Sequence, residues 1–266
     1  MNALVDAVGT LHRPADGAPR ILSLVPSITE LVVDLGLAGH LVGRTQYCIH
    51  PAETVSSIPA IGGTKKINMA KARALAPTHA IVNIDENTRE MVDALRQFVP
   101  HVIVTHPLAP GDNPALYALI GGVFGKAAEA SRLALRFEAS LGALVEAAKQ
   151  LPPRRVVYLI WQDPWMTVSA DTYIARALAL INYRNQAPPG DTRYPEISFT
   201  PALIAGLDEI LFSTEPFAFT EAHLAAFALA HPAARGKLRL IDGEYASWYG
   251  SRAVAAMDYL RGFAGL

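Results

Sequence analysis

The sequence predicts an α/β fold of two Rossmann-like lobes with parallel sheets, joined by a single long rigid helix, with a ligand cleft between the lobes. Short apolar runs that suit buried parallel strands open both halves of the chain, RILSLVP in the first and RVVYLIW in the second. A helix followed by a strand also recurs, as MAKARALAPTHAIVN and again as TPALIAGLDEILFS. Residues 126–150 contain no proline and are rich in helix formers. The predicted domains are an N-terminal lobe (1–124), the connecting helix (125–150) and a C-terminal lobe (151–266).

Composition and charge exclude several classes of protein. Of the 266 residues, 51% are hydrophobic, which is enough for a substantial core in one large domain or two lobes. The 23 Lys and Arg residues balance 24 Asp and Glu residues, so charge does not favour nucleic acid or an anionic membrane as a partner. Cys48 is the only cysteine, which excludes an internal disulfide. No run of about 18 apolar residues occurs, so no membrane span is expected.

The N-terminal segment has neither the basic region nor the apolar region of a secretory signal, and Asp6 falls near its start. It favours a small hairpin or an extended arm around residues 8–10 that leads into the first strand. We therefore expect a cytoplasmic protein from the chain as given, and a periplasmic one if a signal has been removed.

Residues 20–50 predict a strand, a turn, a helix, a turn and a second strand. Ser27, with Glu30 three residues later, forms a capping-box pattern at the start of the helix. Loops at the carboxyl ends of parallel strands line the ligand crevice of open α/β sheets. This rule places Ser27, Thr29 and residues 46–48 at a site. The alternative for Ser27 is a role as a helix cap alone.

The later elements follow the same alternation. The connecting helix would be about 37 Å long at 1.5 Å per residue. In chain order, the predicted elements are a helix at 68–75, a strand at 78–83, a helix from 85–88 to 98, a strand at 101–105, a helix capped by Asn113 with Pro114 at its first position, the helix at 126–150, a strand at 155–161, a helix at 200–207, strands at 208–213 and 237–241, and a helix at 251–263.

Few residues form a recognisable catalytic pattern. The sequence has no nucleophile elbow, Walker loop, dinucleotide fingerprint or HExxH helix. Cys48 has only His50 as a nearby basic partner, which is a weak signal for a catalytic thiol. His50 precedes a proline in a loop that faces the expected cleft, and it is the candidate metal or cofactor ligand. An enzyme would use Asp85, Glu86 and His50 for acid–base or metal chemistry, but their spacing does not require it.

Aromatic side chains follow several predicted strands, at the edge where the carboxyl-end loops converge. Rings opposite charged loops suit a flat ligand with polar substituents. For single rings such as Trp161 and Tyr245, packing at the lobe interface is the alternative. Arg252, next to a predicted cap at Ser251, is suited to hold a carboxylate. The candidate residues from this argument are Tyr47, Lys65, Lys66, Asp85, Glu86, Trp161, Trp165, Tyr245, Trp248, Tyr249 and Arg252.

Three segments together resemble the helical-backbone substrate-binding proteins of ABC importers: RILSLVPSITELVVDLGL, VGRTQYCIHP and IPAIGGTKKINMAKARALAPTHAIVN. The resemblance covers essentially the whole chain, with VDAVGTLHRPA as the leading hairpin and residues 126–150 as the interlobe helix. It is greatest to the cobalamin-binding branch of a family that handles cobalamin, ferric siderophores and haem. It implies a non-enzymatic binding protein whose ligand, rather than a cofactor, is cobalamin, a ferric chelate or a related metal-containing molecule.

The resemblance also implies particular ligand contacts, and this chain departs from the family at some of them. The cobalamin branch has aromatic residues near Thr64 and Asp85, where this chain has polar or charged groups. The importer receptors carry an exposed glutamate on each lobe that meets permease arginines, and the matching positions are Ala70 and Thr200, next to or near Lys71 and Glu196. The implied ligand contacts are Tyr47, Thr64, Lys65, Ile84, Asp85, Glu86, residues 161–165, Pro195 and residues 245–248.

These features predict a monomeric binding protein for a small-molecule ligand. An ABC permease is a candidate partner, although this chain lacks the glutamates with which the family docks to it. The alternatives are a cytoplasmic metal- or cofactor-dependent enzyme or a ligand sensor on the same fold. A structural or regulatory module that binds a partner is the third class, and a cleft filled by its own side chains would favour it.

Overall fold

A computed structural model describes residues 3–266 and divides them into two α/β units. Unit 1 comprises residues 3–107, Gly111–Phe137 and Tyr249–Arg252. Unit 2 comprises Leu108–Pro110, Glu138–Trp248 and Ala253–Leu266. Each unit combines segments that are separated in the chain, and the predicted domain boundaries at residues 124 and 150 stay a prediction.

Unit 1 is built on a four-stranded parallel sheet. Its strands are β1 (Ile21–Ser23), β2 (Leu41–Arg44), β3 (His79–Asn83) and β4 (His101–Thr105). They lie in the order β2-β1-β3-β4, and Asn83 is in register with Thr105 at the carboxyl end of the last pair. All four strands were predicted from their apolar runs, and each ends at the same edge of the sheet because the pairing is parallel throughout.

Helices follow the strands of unit 1 and cover its sheet. They are α1 (Pro26–Asp34), α2 (Ala52–Val55), α3 (Met69–Ala74), α4 (Arg89–Leu95) and α5 (Asn113–Val123). Asn68 and Thr88 cap α3 and α4 by accepting hydrogen bonds from backbone N–H groups three residues later. Leu22, Val82 and Val104 of the sheet share one buried cluster with apolar side chains of α3 and α4.

The predicted N-terminal hairpin is confirmed. Val5 pairs with Leu11 in an antiparallel bridge, and Gly9 has φ +82°, which glycine adopts without steric cost. The buried Asp6 carboxylate accepts hydrogen bonds from the backbone N–H groups of Val8, Thr10 and Val104, which fixes the turn and ties it to β4.

The long helix is also confirmed. It is α6, Ala127–Ala148, a single element of 22 residues that is about 33 Å long. The division between the two units falls within it, between Phe137 and Glu138.

Unit 2 repeats the sheet topology of unit 1. Its parallel strands are β5 (Arg154–Leu159), β6 (Tyr183–Asn185), β7 (Glu209–Ser213) and β8 (Leu238–Ile241), in the order β6-β5-β7-β8. Its helices are α7 (Tyr173–Ala179), α8 (Pro201–Ala205), α9 (Glu221–Ala230), α10 (Gly243–Ser247) and α11 (Ala253–Phe263). The repeated element order confirms the prediction of two similar Rossmann-like units with parallel sheets.

The predicted capping box at α1 is wrong. The helix begins two residues earlier than expected, at Pro26, and Val25 occupies the N-cap position without a side-chain hydrogen bond. Proline suits the first helical position because its φ is preset and it has no N–H to satisfy. Ser27 therefore lies inside the first turn, and Glu30 is committed to an ion pair described below. Asn113 is likewise the first residue of α5 rather than its cap.

Candidate ligand-binding site

An exposed aromatic ring marks the carboxyl edge of the sheet in unit 1. Tyr47 follows β2 and is 53% exposed. A Cβ added at Gly63 would lie 3.3 Å from Tyr47 Cε2, so glycine lets the ring rest against the loop formed by residues 61–67. Ile84, after β3, is 45% exposed. Large apolar groups at strand ends with no role in the core are features expected of a ligand surface.

Charged side chains lie beside these apolar groups. Lys65 Nζ donates a 2.5 Å hydrogen bond to the Asp85 carbonyl oxygen, which links the 61–67 loop to residues 84–86. His106 Nε2 lies 3.3 Å from Asp85 Oδ2, an ion-pair contact that lacks good hydrogen-bond alignment. Burial raises the pKa of the half-buried Glu86 carboxyl; the positive charge of Lys65 offsets part of this effect, and Asp85 adds to it.

Two asparagines that sequence reasoning missed lie beneath these loops. Asn83 ends β3, Asn87 follows four residues later, and both are buried. The Asn87 side chain donates to the Thr64 carbonyl oxygen at 2.8 Å. The available signal was an asparagine at the carboxyl end of a predicted strand with a second one a helical turn later, a spacing that brings the two amides together.

Cys48 and His50 lie in the loop that follows β2. Cys48 is buried, burial raises the pKa of its thiol, and its Sγ lies 3.1 Å from Thr45 Oγ1. A thiol held in its neutral form is a poor nucleophile. Within residues 3–266, no group of three or more His, Cys, Asp or Glu side chains is arranged to hold a metal ion. Coordination of a ligand's own metal by His50 stays a prediction.

Arg252 is engaged by a carboxylate of the protein itself. Its Nε and Nη2 donate to Glu30 Oε2 and Oε1, both at 2.8 Å, and the two side chains are largely buried. Beside this pair, Gly250 N donates to Asn113 Oδ1 at 2.7 Å, and Tyr117 Oη donates to the Gly250 carbonyl. A ligand carboxylate would have to compete with Glu30, so the predicted ligand role of Arg252 stays a prediction.

The two tryptophans after β5 have different surroundings. Trp161 is 42% exposed and makes an edge-to-face contact with Phe217, with centroids 5.4 Å apart. Trp165 packs against the buried aromatic cluster of unit 2 and stacks on Phe219 at 6.0 Å. Trp161 therefore presents a ring at the carboxyl edge of this sheet, whereas much of Trp165 is part of the core.

The aromatic residues after β8 are Tyr245 and Trp248 of unit 2 and Tyr249 of unit 1. Trp248 is buried, and its Nε1 donates to Glu215 Oε2 at 2.7 Å. Tyr245 stacks on Tyr259 with centroids 5.0 Å apart. Tyr249, which packs with unit 1, is also buried. These contacts give each ring a structural role, and their ligand contacts stay predictions.

The structure thus brings together one predicted group in unit 1 and separates the predicted set in unit 2. Tyr47, Thr64, Lys65 and Asp85 share contacts through two adjacent loops, with Glu86 next in the chain. In unit 2, Trp161 alone of the predicted rings is exposed, at 42%. Glu215 and Phe217, which follow β7, were not singled out as ligand candidates, although their position after a strand was the available signal. The residues that sequence reasoning did not single out for this surface are Gly63, Asn83, Asn87, His106, Glu215 and Phe217.

Two parallel sheets of the same topology, with exposed rings and polar groups at their carboxyl edges, define a two-lobed α/β binding protein. Matching residues 21–221, the chain belongs to the family described as periplasmic binding protein.

Individual relatives are distant in sequence and similar in fold. The vitamin B12-binding protein of Yersinia pseudotuberculosis is 22% identical over 196 residues, which cover 74% of this chain and 70% of that protein. The crystal structure of the periplasmic vitamin B12 binding protein of Vibrio cholerae matches with a TM-score of 0.81 at 18% identity, covering 93% of this chain and 97% of that one. The periplasmic heme-binding protein from Roseiflexus sp. RS-1, in apo form, matches with a TM-score of 0.78 at 23% identity, covering 93% and 100%.

In the part of the chain that the structure describes, no helix combines the length and the apolar character needed to cross a bilayer.

Proposed function

We propose that this protein is a non-enzymatic substrate-binding protein for a metal-containing small molecule of the corrinoid, haem or ferric-chelate class. The observation that carries the proposal is the exposed ring at the carboxyl edge of each sheet, Tyr47 in unit 1 and Trp161 in unit 2. An exposed ring followed by polar loops suits a large flat ligand with polar substituents. The vitamin B12-binding and heme-binding relatives support this ligand class.

The proposed function does not include catalysis. Cys48 is buried, and burial raises the pKa of its thiol, which disfavours a nucleophilic role for this residue. Asp85 is engaged by Lys65 at its carbonyl and by His106 at its carboxylate. These contacts suit polar recognition as well as they suit acid–base chemistry, and the family favours recognition.

Native purification identifies the ligand class most directly. We expect mass spectrometry and metal analysis of the purified protein to detect a cobalt- or iron-containing small molecule. Titration of ligand-free protein with cyanocobalamin, hemin or a ferric hydroxamate chelate, followed by tryptophan fluorescence, then measures affinity. If the protein binds none of the three, the proposed ligand class is contradicted.

Tyr47→Ala tests the surface in unit 1. A stacking contact is worth about 0.5–1.5 kcal/mol beyond the area it buries, so we expect binding to weaken by about fivefold or more. The matched control is Leu229→Ala, because Leu229 is 74% exposed on α9 and has no place at a carboxyl edge. Equal affinity for Tyr47→Ala and the unmodified protein would move the site away from this ring.

The proposed compartment is the periplasm, because the family and the solved relatives are named as periplasmic proteins. An ABC permease is the proposed partner class. The positions that match the docking glutamates carry Ala70, exposed on α3, and Thr200, which caps α8. Docking would therefore rely on other groups. Fractionation of the native host tests the compartment, and a pull-down from its membranes tests the partner.

A further inference from the structure

Two buried asparagines join the loops that carry the proposed ligand contacts of unit 1. Asn83 and Asn87 are 2% and 5% exposed. Four chain segments meet at their side chains: the end of β1, the 61–67 loop, residues 84–86 and the end of β4. These side-chain links lie outside the β-ladder, and they act beside the bond from Lys65 Nζ to the Asp85 carbonyl and the backbone bond from Ile84 N to the Thr105 carbonyl.

Asn87 uses both hydrogens of its amide on different segments. Nδ2 donates to the Leu24 carbonyl oxygen at 3.2 Å and to the Thr64 carbonyl oxygen at 2.8 Å, while Oδ1 accepts from Asn83 N at 2.9 Å. Two donors and an acceptor on a side chain of this size are available only from asparagine. An aspartate would keep the acceptor, lose both donors and place a carboxylate against two carbonyl oxygens.

Asn83 shapes the neighbouring loop. Its Oδ1 accepts from Asp85 N at 2.8 Å and from Glu86 N at 3.3 Å, and its Nδ2 contacts Thr105 Oγ1 at 3.4 Å. These bonds turn the chain immediately after β3 and aim the backbone that carries both carboxylates.

We infer that Asn87 is a positioning residue for ligand binding, because it sets the spacing between the loop of Thr64 and Lys65 and the loop of Asp85 and Glu86. The bond from Lys65 Nζ to the Asp85 carbonyl joins the same two loops, and the buried Asn87 side chain bonds to the Thr64 carbonyl of one of them. Loops that are ordered before binding spare the ligand the cost of ordering them. This inference rests on the proposed function for its effect on affinity, whereas its effect on the loops is independent of any ligand.

The test compares Asn87→Asp with Asn182→Asp. Asn182 lies in unit 2, between α7 and β6, and its Nδ2 donates a single 2.7 Å bond to the Leu151 carbonyl oxygen. Both variants replace a structural amide by a carboxylate, but only one lies under the ligand loops. Amide hydrogen exchange is measured over residues 61–67 and 84–86 in the ligand-free proteins. Dissociation constants for cyanocobalamin, hemin and a ferric hydroxamate chelate are measured well below each melting temperature. Asn87→Ser, which keeps one donor, replaces Asn87→Asp if the latter fails to fold.

We expect faster exchange in both loops for the Asn87 variant and not for the Asn182 variant. For whichever probe the unmodified protein binds, we expect the Asn87 variant to bind about tenfold more weakly, with the control within twofold. Unchanged exchange in the loops, or an equal loss of affinity in the control, would overturn the inference. If the unmodified protein binds none of the three probes, the proposed ligand class fails, and the exchange comparison alone decides whether Asn87 positions the loops.

Discussion

The ion pair between Arg252 and Glu30 is a largely buried contact within unit 1 whose removal should destabilise the protein. The two residues are 222 positions apart in the chain, and the guanidinium grips the carboxylate through two 2.8 Å hydrogen bonds. The side chains are only 13% and 16% exposed. Burial raises the pKa of the Glu30 carboxyl, and its bond to Arg252 opposes that rise.

Arg252→Met removes the guanidinium, retains much of the stem and leaves Glu30 without its ion-pair partner in a largely buried place. Breaking a fully buried pair in this way costs about 3–5 kcal/mol, and the partial exposure here reduces the expected cost to about 2–3 kcal/mol. For a chain of this size, about 1 kcal/mol lowers the melting temperature by about 2–4 °C. We therefore expect a drop of about 4–12 °C.

The assay is thermal unfolding of the single and double variants of a cycle, with Glu30→Gln as the second change. The double variant should lose less than the sum of the single losses, since removal of both charges leaves neither buried alone. Lys149→Met is the control, because its pair with Glu146 is exposed by 60% and 72% and should contribute less than about 1 kcal/mol. Strictly additive losses, or a drop no larger than that of the control, would refute the reasoning.

Two further predictions concern stability. Burial, with the nearby His101 and His12, lowers the pKa of His79 from 6.5 to about 4, so the folded state favours its neutral form. The unfolded state then binds more protons below pH 6.5, and the free energy of unfolding should fall as pH drops from about 6.5 to 4, by up to about 1.4 kcal/mol per unit. Chemical denaturation across this range measures the slope, and His79→Gln should flatten it; an equal slope in the variant would contradict the assignment. Gly243→Ala should destabilise by about 1–3 kcal/mol, because its Cβ would lie 2.5 Å from Ser213 Oγ and 2.6 Å from Glu215 N. Gly142→Ala, in the middle of α6 with nothing within 4 Å, should instead stabilise by about 0.5–1 kcal/mol. Melting temperatures that move in the same direction for both changes would contradict this account.

The sequence by itself determined seven of the eight strands, most of the helices and the two-unit α/β class, whereas β6 and the preceding helix α7 were not predicted. These follow from short-range patterns: an apolar run such as RILSLVP suits a buried strand, and caps such as Asn68 and Thr88 satisfy helix N–H groups within one turn. Parallel strand ends also fix which loops share an edge, so Tyr47, Lys65 and Asp85 could be predicted as neighbours from the order of elements alone.

Only the tertiary structure decided which of those side chains are exposed and which are used in packing. Trp161 and Trp165 lie in one loop, yet Trp161 is 42% exposed and Trp165 packs into the phenylalanine cluster of unit 2. Arg252 looked suited to a ligand, but it pairs with Glu30. Exposure and pairing depend on residues that are distant in the chain. Local periodicity records secondary structure, whereas the partner of a side chain is set by long-range packing.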